Sequence, residues 1–365
     1  MIDRGVSPTG TRLLGPPVFV ASVRLFVVSS ACVSWSRRVK HSRSVALGLC
    51  HLLVALSFAA CRQRAQEAPF LGAGPAAQLQ RKSYSSLVDG TERHYFLYLP
   101  AGYDRSSDAA LWPLMLFLHG GGERGDGPEE LDYVLAVGPL YEAWIQKRDL
   151  PFVILAPQLP KFGREAVDRY LRRRDPSRIP QRLEEGVPPR PQRFRRPGPM
   201  RGATPDAALQ HGPEGLPQGW PLVEDDVIRL LDRTLDEERI DRERVYLTGV
   251  SYGGFGTWYL ASRHPQRFAA ISPVVGWGHP DLMPSLAERR MPIWVFAGGR
   301  DRAVPARYFY PGLNALEQLG HRQLRFTIHE DMAHDVWSRV YAGDDLYAWL
   351  LAQRLPTAAG ETVIR

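Results

Sequence analysis

Cysteine is scarce in this chain of 365 residues, which has three, Cys32, Cys50 and Cys61. All of them lie in the first 61 residues, so the remaining chain cannot form an internal disulfide, and a disulfide-stabilised scaffold is excluded. The hydrophobic fraction is 44%, which is instead typical of a globular domain held together by an apolar core.

The chain also lacks an evenly spread positive charge. Its formal net charge is +7, but residues 161–201 alone hold thirteen Lys or Arg against five Asp or Glu. The rest of the chain is therefore close to neutral. Because no nucleic-acid-binding motif accompanies the basic segment, we expect no nucleic-acid partner. The sequence contains no internal repeat.

The N-terminal segment has the pattern of a targeting sequence. A basic region at residues 37–43 precedes an apolar stretch at 45–60, as in a secretory signal peptide. The stretch ends in Phe-Ala-Ala before Cys61, which resembles a bacterial lipoprotein cleavage site. We expect lipidation of Cys61 and a membrane tether in the cell envelope, with plain secretion as the alternative. Residues 1–61 are thus interpreted as an overhang and signal peptide, and 62–81 as a tether.

Short apolar runs alternate with helix-like runs over residues 82–355. The strand-like runs are 82–88, 93–99, 114–118, 152–157, 244–248, 268–273, 292–297 and 324–329. The helix-like runs are 128–147, 222–238, 306–319 and 338–353. This alternation predicts an α/β fold with a mainly parallel central sheet and helices on both faces. The first two strands are expected to form a hairpin. Residues 356–365 are expected to be a frayed tail.

The sequence Gly249-Val250-Ser251-Tyr252-Gly253 lies between a strand-like run and a helix-like run. Gly-x-Ser-x-Gly in that context predicts a nucleophile elbow, a tight turn that aims a serine hydroxyl at a substrate. A serine hydroxyl is a weak nucleophile and needs a neighbouring base. Ser251 is therefore the candidate nucleophile.

A glycine-rich loop, His119-Gly120-Gly121-Gly122, directly follows the apolar run 114–118. Such a loop can lend one backbone N–H to an oxyanion hole, and the residue after the nucleophile lends another. We expect these N–H groups to come from Gly121 or Gly122 and from Tyr252. His119 is expected to pack and to shape the loop, and is assigned to the substrate pocket.

An acid and a base each follow a later strand-like run. Asp301 comes in the loop after 292–297, and His334 in the loop after 324–329. We expect His334 to act as the general base and Asp301 to orient its imidazole. The chain order Ser251, Asp301, His334 is the order of an α/β-hydrolase.

Other acids and histidines are weaker candidates. Asp281 and Glu288 have no preceding strand, and His321 is expected in a solvated turn. His329 lies five residues before His334, a spacing that does not place two ligands on one helix face. We therefore expect no metal site.

The chain resembles the α/β-hydrolase superfamily. Within it, the chain is similar to a bacterial group of "predicted peptidases" and esterases related to polyhydroxybutyrate-depolymerase-type and feruloyl-type esterases. Residues 112–125, 241–254 and 334–337 carry the resemblance. It implies hydrolysis of carboxylic esters, small or polysaccharide-linked, by a serine triad without a cofactor. Trp277 and Trp337 are expected to line the substrate pocket. A serine peptidase and a non-catalytic cell-surface binding protein are the alternatives.

Residues 161–219 interrupt this resemblance as an insertion. The segment is rich in Arg, Pro and Gly and has few aromatic or β-branched residues. Such a composition predicts disorder or a loosely packed flap. The insertion follows a strand, so it should lie on the active-site rim. It is interpreted either as a lid or clamp for an anionic surface, or as a solvated insertion without a role.

Overall fold

The computed structural model describes residues 75–106, 111–190, 215–217 and 219–356. The expected signal peptide, Cys61, most of the tether and most of the tail lie outside these described residues. Among the residues described, no helix is long and apolar enough to cross a membrane.

The described residues form a twisted sheet in the order β1-β2-β4-β3-β5-β6-β7-β8. The strands are β1 (Gln78–Ser85), β2 (Glu92–Leu99), β3 (Trp112–Leu118), β4 (Val153–Pro157), β5 (Ile240–Val250), β6 (Ala270–Val274), β7 (Ile293–Gly298) and β8 (Leu324–His329). The pairs β1/β2 and β2/β4 are antiparallel, and all later neighbours are parallel. The predicted mainly parallel sheet is confirmed.

Both faces of the sheet are buried, and the central strands show why. Alternate residues of a strand point to opposite faces. In β3, Leu114, Leu116 and Leu118 lie in one apolar core, whereas Met115 and Phe117 lie in the other. A strand that is apolar on both sides must be covered on both sides.

Helices provide this cover. The α-helices are α1 (Gly138–Leu140), α2 (Arg169–Arg172), α3 (Glu224–Glu237), α4 (Tyr252–Arg263), α5 (Met283–Glu288), α6 (Tyr310–Gln318), α7 (Trp337–Val340) and α8 (Asp345–Leu351). One core contains residues of α3, α4, α5 and α6, and the other contains residues of α1, α7 and α8. Helices on both faces are thus confirmed.

Short helices of other types complete the chain. The 3-10 helices are Gly121–Glu123, Pro128–Ala136, Arg164–Ala166, Pro176–Arg178, Trp220–Val223, Pro265–Arg267, Pro280–Leu282, Ala306–Phe309 and His334–Val336. A π-helical turn spans Tyr141–Ile145.

The structure departs from the sequence prediction in several places. β1 begins at Gln78, so residues 78–81 belong to the sheet rather than to a tether. The helical region 128–147 is broken at Val137, whose backbone is extended, and the following Gly138 has φ +73° and faces the Phe117 ring so closely that a Cβ would lie 2.1 Å from it. His321 is 7% exposed rather than solvated.

Candidate active site

Ser251 occupies a sharp turn between β5 and α4. Its backbone has φ 54° and ψ −111°, a region that non-glycine residues rarely adopt. The flanking glycines make this turn possible. A Cβ on Gly249 would lie 2.3 Å from the Gly253 carbonyl oxygen, and a Cβ on Gly253 would lie 1.8 Å from the Leu118 carbonyl oxygen. Only glycine fits at either position.

The turn also prepares a site for negative charge. The Phe255 N–H donates to the Ser251 carbonyl at 3.0 Å. The N–H groups of Tyr252 and Gly253 precede this first helical bond and have no acceptor within the helix. The positive end of the α4 dipole lies beside the Ser251 hydroxyl.

The structure brings Ser251, His334 and Asp301 together. His334 Nε2 lies 3.0 Å from Ser251 Oγ, and His334 Nδ1 lies 2.7 Å from Asp301 Oδ2. Asp301 follows β7 and His334 follows β8. Since β7 and β8 are parallel neighbours, their carboxyl ends lie at the same edge of the sheet.

The Asp301 carboxylate is held by the backbone. Its Oδ1 accepts hydrogen bonds from the N–H groups of Ala303 at 2.8 Å and Val304 at 2.9 Å. The side chain is fully buried. With one oxygen occupied in this way, the other faces His334 Nδ1, and an N–H on that nitrogen leaves Nε2 as the acceptor for the serine hydroxyl.

The competing residues lie outside this cluster. Asp281 is exposed and sits 3.3 Å from His279 Nδ1, and Glu288 is exposed. His329 stacks on Phe296, with its pKa lowered by burial. Within the described ranges, no group of three or more His, Cys, Asp and Glu side chains could hold a metal ion.

The glycine loop approaches the serine closely. A Cβ on Gly120 would lie 3.7 Å from Ser251 Cβ, and a Cβ on Gly121 would lie 2.8 Å from the Tyr252 ring. Gly122 faces open space. The loop therefore depends on glycine at Gly121, where the backbone passes over Tyr252.

His119 does not belong to the substrate pocket. It is fully buried behind the glycine loop, with Nδ1 2.7 Å from the Gly120 carbonyl, and Nε2 accepts from the Leu159 N–H at 2.8 Å. Burial lowers the pKa of His119 to about 3, so the ring stays neutral. The pocket assignment was wrong because a side chain at the end of a buried strand can point into the core as easily as to the rim.

A cavity of about 730 Å³ opens above Ser251 and His334. Its lining is rich in aromatic side chains, namely Tyr170, Tyr252, Phe255, Trp277, Tyr308 and Trp337. Trp277 and Trp337 therefore lie where the sequence analysis expected them. The Trp337 ring packs edge-on against His334, with ring centroids 5.3 Å apart. A cavity of this size and composition can take an apolar or aromatic small molecule.

Sequence reasoning missed three contributions to the cavity. Tyr170 and residues 215–217, from the two described ends of the insertion, line it together with the loop residues. Tyr308 was missed as well. The only sequence signal for Tyr170 was an aromatic residue in a segment that otherwise has few.

Comparisons with known proteins agree with this architecture. The sequence pattern of the prolyl oligopeptidase family matches residues 223–286, which include Ser251. A solved thermostable esterase is 25% identical, aligns over 76% of this chain and has a TM-score of 0.51. The alignment spans 63% of that esterase, less than two thirds of its length. No curated protein sequence matches the chain significantly.

Two further solved structures are more distant. The feruloyl esterase module from Clostridium thermocellum is 16% identical, with coverage of 76% of this chain and 90% of the module and a TM-score of 0.45. The acylaminoacyl peptidase of Pyrococcus horikoshii is 12% identical, with coverage of 78% and 43% and a TM-score of 0.48. The sheet order, the turn at Ser251 and the similarity to the thermostable esterase together identify the chain as a protein of the α/β-hydrolase fold.

Proposed function

We propose that the chain is a serine hydrolase that cleaves carboxylic esters. The observation that carries the proposal is the hydrogen-bonded series in which His334 lies 3.0 Å from Ser251 Oγ and 2.7 Å from Asp301 Oδ2. A serine, a base and a buried acid in this geometry are the groups that acyl transfer needs.

In the first half of the proposed reaction, His334 Nε2 takes the proton of Ser251 Oγ as the oxygen attacks the ester carbonyl. Asp301 holds the imidazole in the required tautomer and stabilises its positive charge. The tetrahedral oxyanion accepts hydrogen bonds from the Tyr252 N–H and from the N–H of Gly121 or Gly122. The imidazolium then gives its proton to the leaving alkoxide, and an acyl-enzyme remains on Ser251.

In the second half, water enters where the alcohol departed. His334 removes its proton, the hydroxide attacks the acyl carbon, and the same N–H groups stabilise the second oxyanion. Collapse of this intermediate returns the proton to Ser251 and releases the acid. All groups in the scheme belong to the chain itself, so the proposal calls for no cofactor.

The cavity favours uncharged substrates. Its lining contains several aromatic rings and one carboxylate, Glu123, beside the reacting groups. An apolar or aryl group of a small or polysaccharide-linked ester can bury against these rings, and each buried methylene adds about 0.8 kcal/mol to binding.

A serine peptidase is the second candidate. The match of residues 223–286 to the prolyl oligopeptidase family favours it. The two candidates share the nucleophile and differ in the leaving group, since an amide nitrogen must be protonated before it departs.

The test compares p-nitrophenyl acetate and butyrate with aminoacyl and prolyl p-nitroanilides, using wild type and Ser251→Ala. We expect ester hydrolysis in the wild type that the substitution abolishes, and little anilide cleavage. Preferential anilide cleavage would favour the peptidase. Equal ester hydrolysis in both proteins would contradict the role of Ser251.

We further propose that Cys61 carries a lipid that tethers the protein to a bacterial envelope membrane. The proposal rests on the sequence before Cys61. Metabolic labelling with a palmitate analogue should mark wild type but not Cys61→Ser. Equal labelling, or its absence in wild type, would argue for plain secretion or another location.

A further inference from the structure

The insertion contacts the glycine loop through Arg174, which follows helix α2. Arg174 Nη1 donates to the Gly122 carbonyl at 3.4 Å and also to the Arg124 carbonyl. Its Nη2 donates to the Glu130 carboxylate. The side chain is 11% exposed, so these bonds are largely shielded from water.

Two further contacts fix the Arg174 guanidinium. It lies over the Tyr133 ring, 4.1 Å from the centroid. Lys161 Nζ approaches the same Glu130 carboxylate at 2.9 Å and so completes a charged network with Arg174. A guanidinium is planar and its donors form a rigid fork, so these partners together leave it one orientation.

The two carbonyls that accept from Arg174 belong to the peptides that join Gly122 to Glu123 and Arg124 to Gly125. Since a peptide unit is planar, the bond to the Gly122 carbonyl fixes the peptide plane that directly follows Gly122, and the Gly122 backbone is held on its C-terminal side. His119 holds the opposite end of the loop through Gly120 and Leu159. The loop is therefore anchored at both ends, by the core on one side and by the insertion on the other.

The same short helix also reaches the cavity. Tyr170 lines it, and a Cβ on Gly121 would lie 2.8 Å from Tyr170 Oη. Arg164 holds Asp168 with bonds of 2.8 and 2.9 Å, and Tyr170 Oη donates to Asp168 at 3.0 Å. The first part of the insertion thus contacts the glycine loop on its cavity side as well as at its carbonyls.

We propose that Arg174 is a positioning residue that holds the glycine loop in the conformation in which Gly121 or Gly122 donates to the oxyanion. The inference rests on the proposed function and assigns the insertion a role in the reaction. Arg174 is not among the described residues that line the cavity. It acts through the backbone of the loop, so its loss should weaken transition-state binding more than substrate binding.

The experiment replaces Arg174 in the full chain by Met and, separately, by Lys. Arg172→Met is the matched control, because Arg172 lies two positions away and is exposed. With p-nitrophenyl butyrate we expect Arg174→Met to lower kcat about tenfold or more, since small displacements of catalytic groups are costly. KM should change by less than about twofold. Arg174→Lys keeps the positive charge near Glu130 but loses the planar fork of donors. Its kcat should lie between those of wild type and Arg174→Met.

A transition-state analogue supplies a second kinetic readout. Butylboronic acid forms a tetrahedral adduct with an active serine. Its inhibition constant should rise in Arg174→Met by the same factor as kcat/KM falls, and stay constant in Arg172→Met. Unchanged kcat in both Arg174 variants, or a change confined to KM, would overturn the inference. If Arg174→Met does not fold, the Lys variant alone decides by the same criteria.

Hydrogen exchange of a peptide that covers residues 119–125 separates the inference from the proposed function. Exchange in this loop should rise in Arg174→Met but not in Arg172→Met, whether or not an ester is hydrolysed. Unchanged exchange would overturn the inference. A wild type that hydrolyses no ester while exchange responds as expected would instead count against the proposed ester hydrolase.

Discussion

The turn around Ser251 and the described parts of the insertion lie at the same cavity, but they are held by different forces. The turn is fixed by close backbone packing between β3, β5 and α4, where a Cβ on Gly253 would lie 1.8 Å from the Leu118 carbonyl. The described part of the insertion is fixed by arginines. Arg174 donates a hydrogen bond to Glu130, and Arg190 donates one to Glu142. The Arg182 guanidinium lies over the Trp144 ring.

This difference explains why composition does not predict the contacts made by the described part of the insertion. A segment that is poor in apolar residues buries little surface, and most of 161–190 is indeed exposed. Yet Tyr170 lines the cavity, and Arg174 donates a hydrogen bond to the glycine loop. Charge-assisted hydrogen bonds and cation–π contacts can order a segment that has no core of its own.

The largest expected effect is in the Ser251 region. Asp301→Asn should lower kcat by about 10⁴-fold, because an amide at this position favours the wrong imidazole tautomer. The structure of the variant should be intact, since Asn can still accept from the Ala303 and Val304 N–H groups. Steady-state kinetics with p-nitrophenyl butyrate measure the effect. A loss of less than tenfold would mean that Asp301 does not orient His334.

The next effect is on stability. Gly253→Ala forces a methyl group into the Leu118 carbonyl and should lower the free energy of unfolding by more than about 4 kcal/mol, or prevent folding. Gly122→Ala is the matched control, because nothing lies within 4 Å of its Cβ position. It should change the free energy of unfolding by less than about 0.5 kcal/mol. Urea denaturation monitored by fluorescence distinguishes the two. Similar stability in both variants would contradict the packing described for the turn.

The catalytic candidates could be predicted from sequence, and the wall of the cavity could not. Ser251, Asp301 and His334 each follow a strand-like run, and parallel strands bring such loops to one edge. No local pattern predicts that Arg174 meets the carbonyls of Gly122 and Arg124, since this depends on tertiary position. His119 and His321 were placed wrongly for a related reason: sequence position gives the loop but not the direction of the side chain.

His119 provides a third prediction, on pH dependence. Its pKa is lowered to about 3 in the folded chain, against about 6.5 when unfolded. Between these values the unfolded state binds the proton and the folded state does not, so the contribution of His119 to stability falls as the pH decreases from about 6.5. The slope attributable to one such group is at most about 1.4 kcal/mol per pH unit.

The measurement is urea denaturation of wild type and His119→Gln between pH 7 and pH 4. Glutamine can accept from the Leu159 N–H without titrating. The free energy of unfolding should depend less steeply on pH in the variant. Parallel curves for the two proteins would contradict a neutral, buried His119.

The smallest expected effect is at Tyr170, where the insertion lines the cavity. Tyr170→Ala should lower kcat/KM for p-nitrophenyl butyrate by about fivefold, because a partly buried ring contributes about 1 kcal/mol to substrate contact. Tyr170→Phe keeps the ring and should retain more of the activity. Unchanged kinetics in Tyr170→Ala, with acetate, butyrate and hexanoate alike, would mean that the insertion borders the cavity without contacting the substrate.

The central claim is that His334 and Asp301 activate Ser251 as a nucleophile. A fluorophosphonate reacts with activated serines, and mass spectrometry of the digested protein locates the adduct. We predict one adduct per chain on the peptide that contains Ser251, formed in step with the loss of esterase activity and absent from Ser251→Ala. Inactivation with the adduct on another residue, or full activity after Ser251 is labelled, would contradict the account.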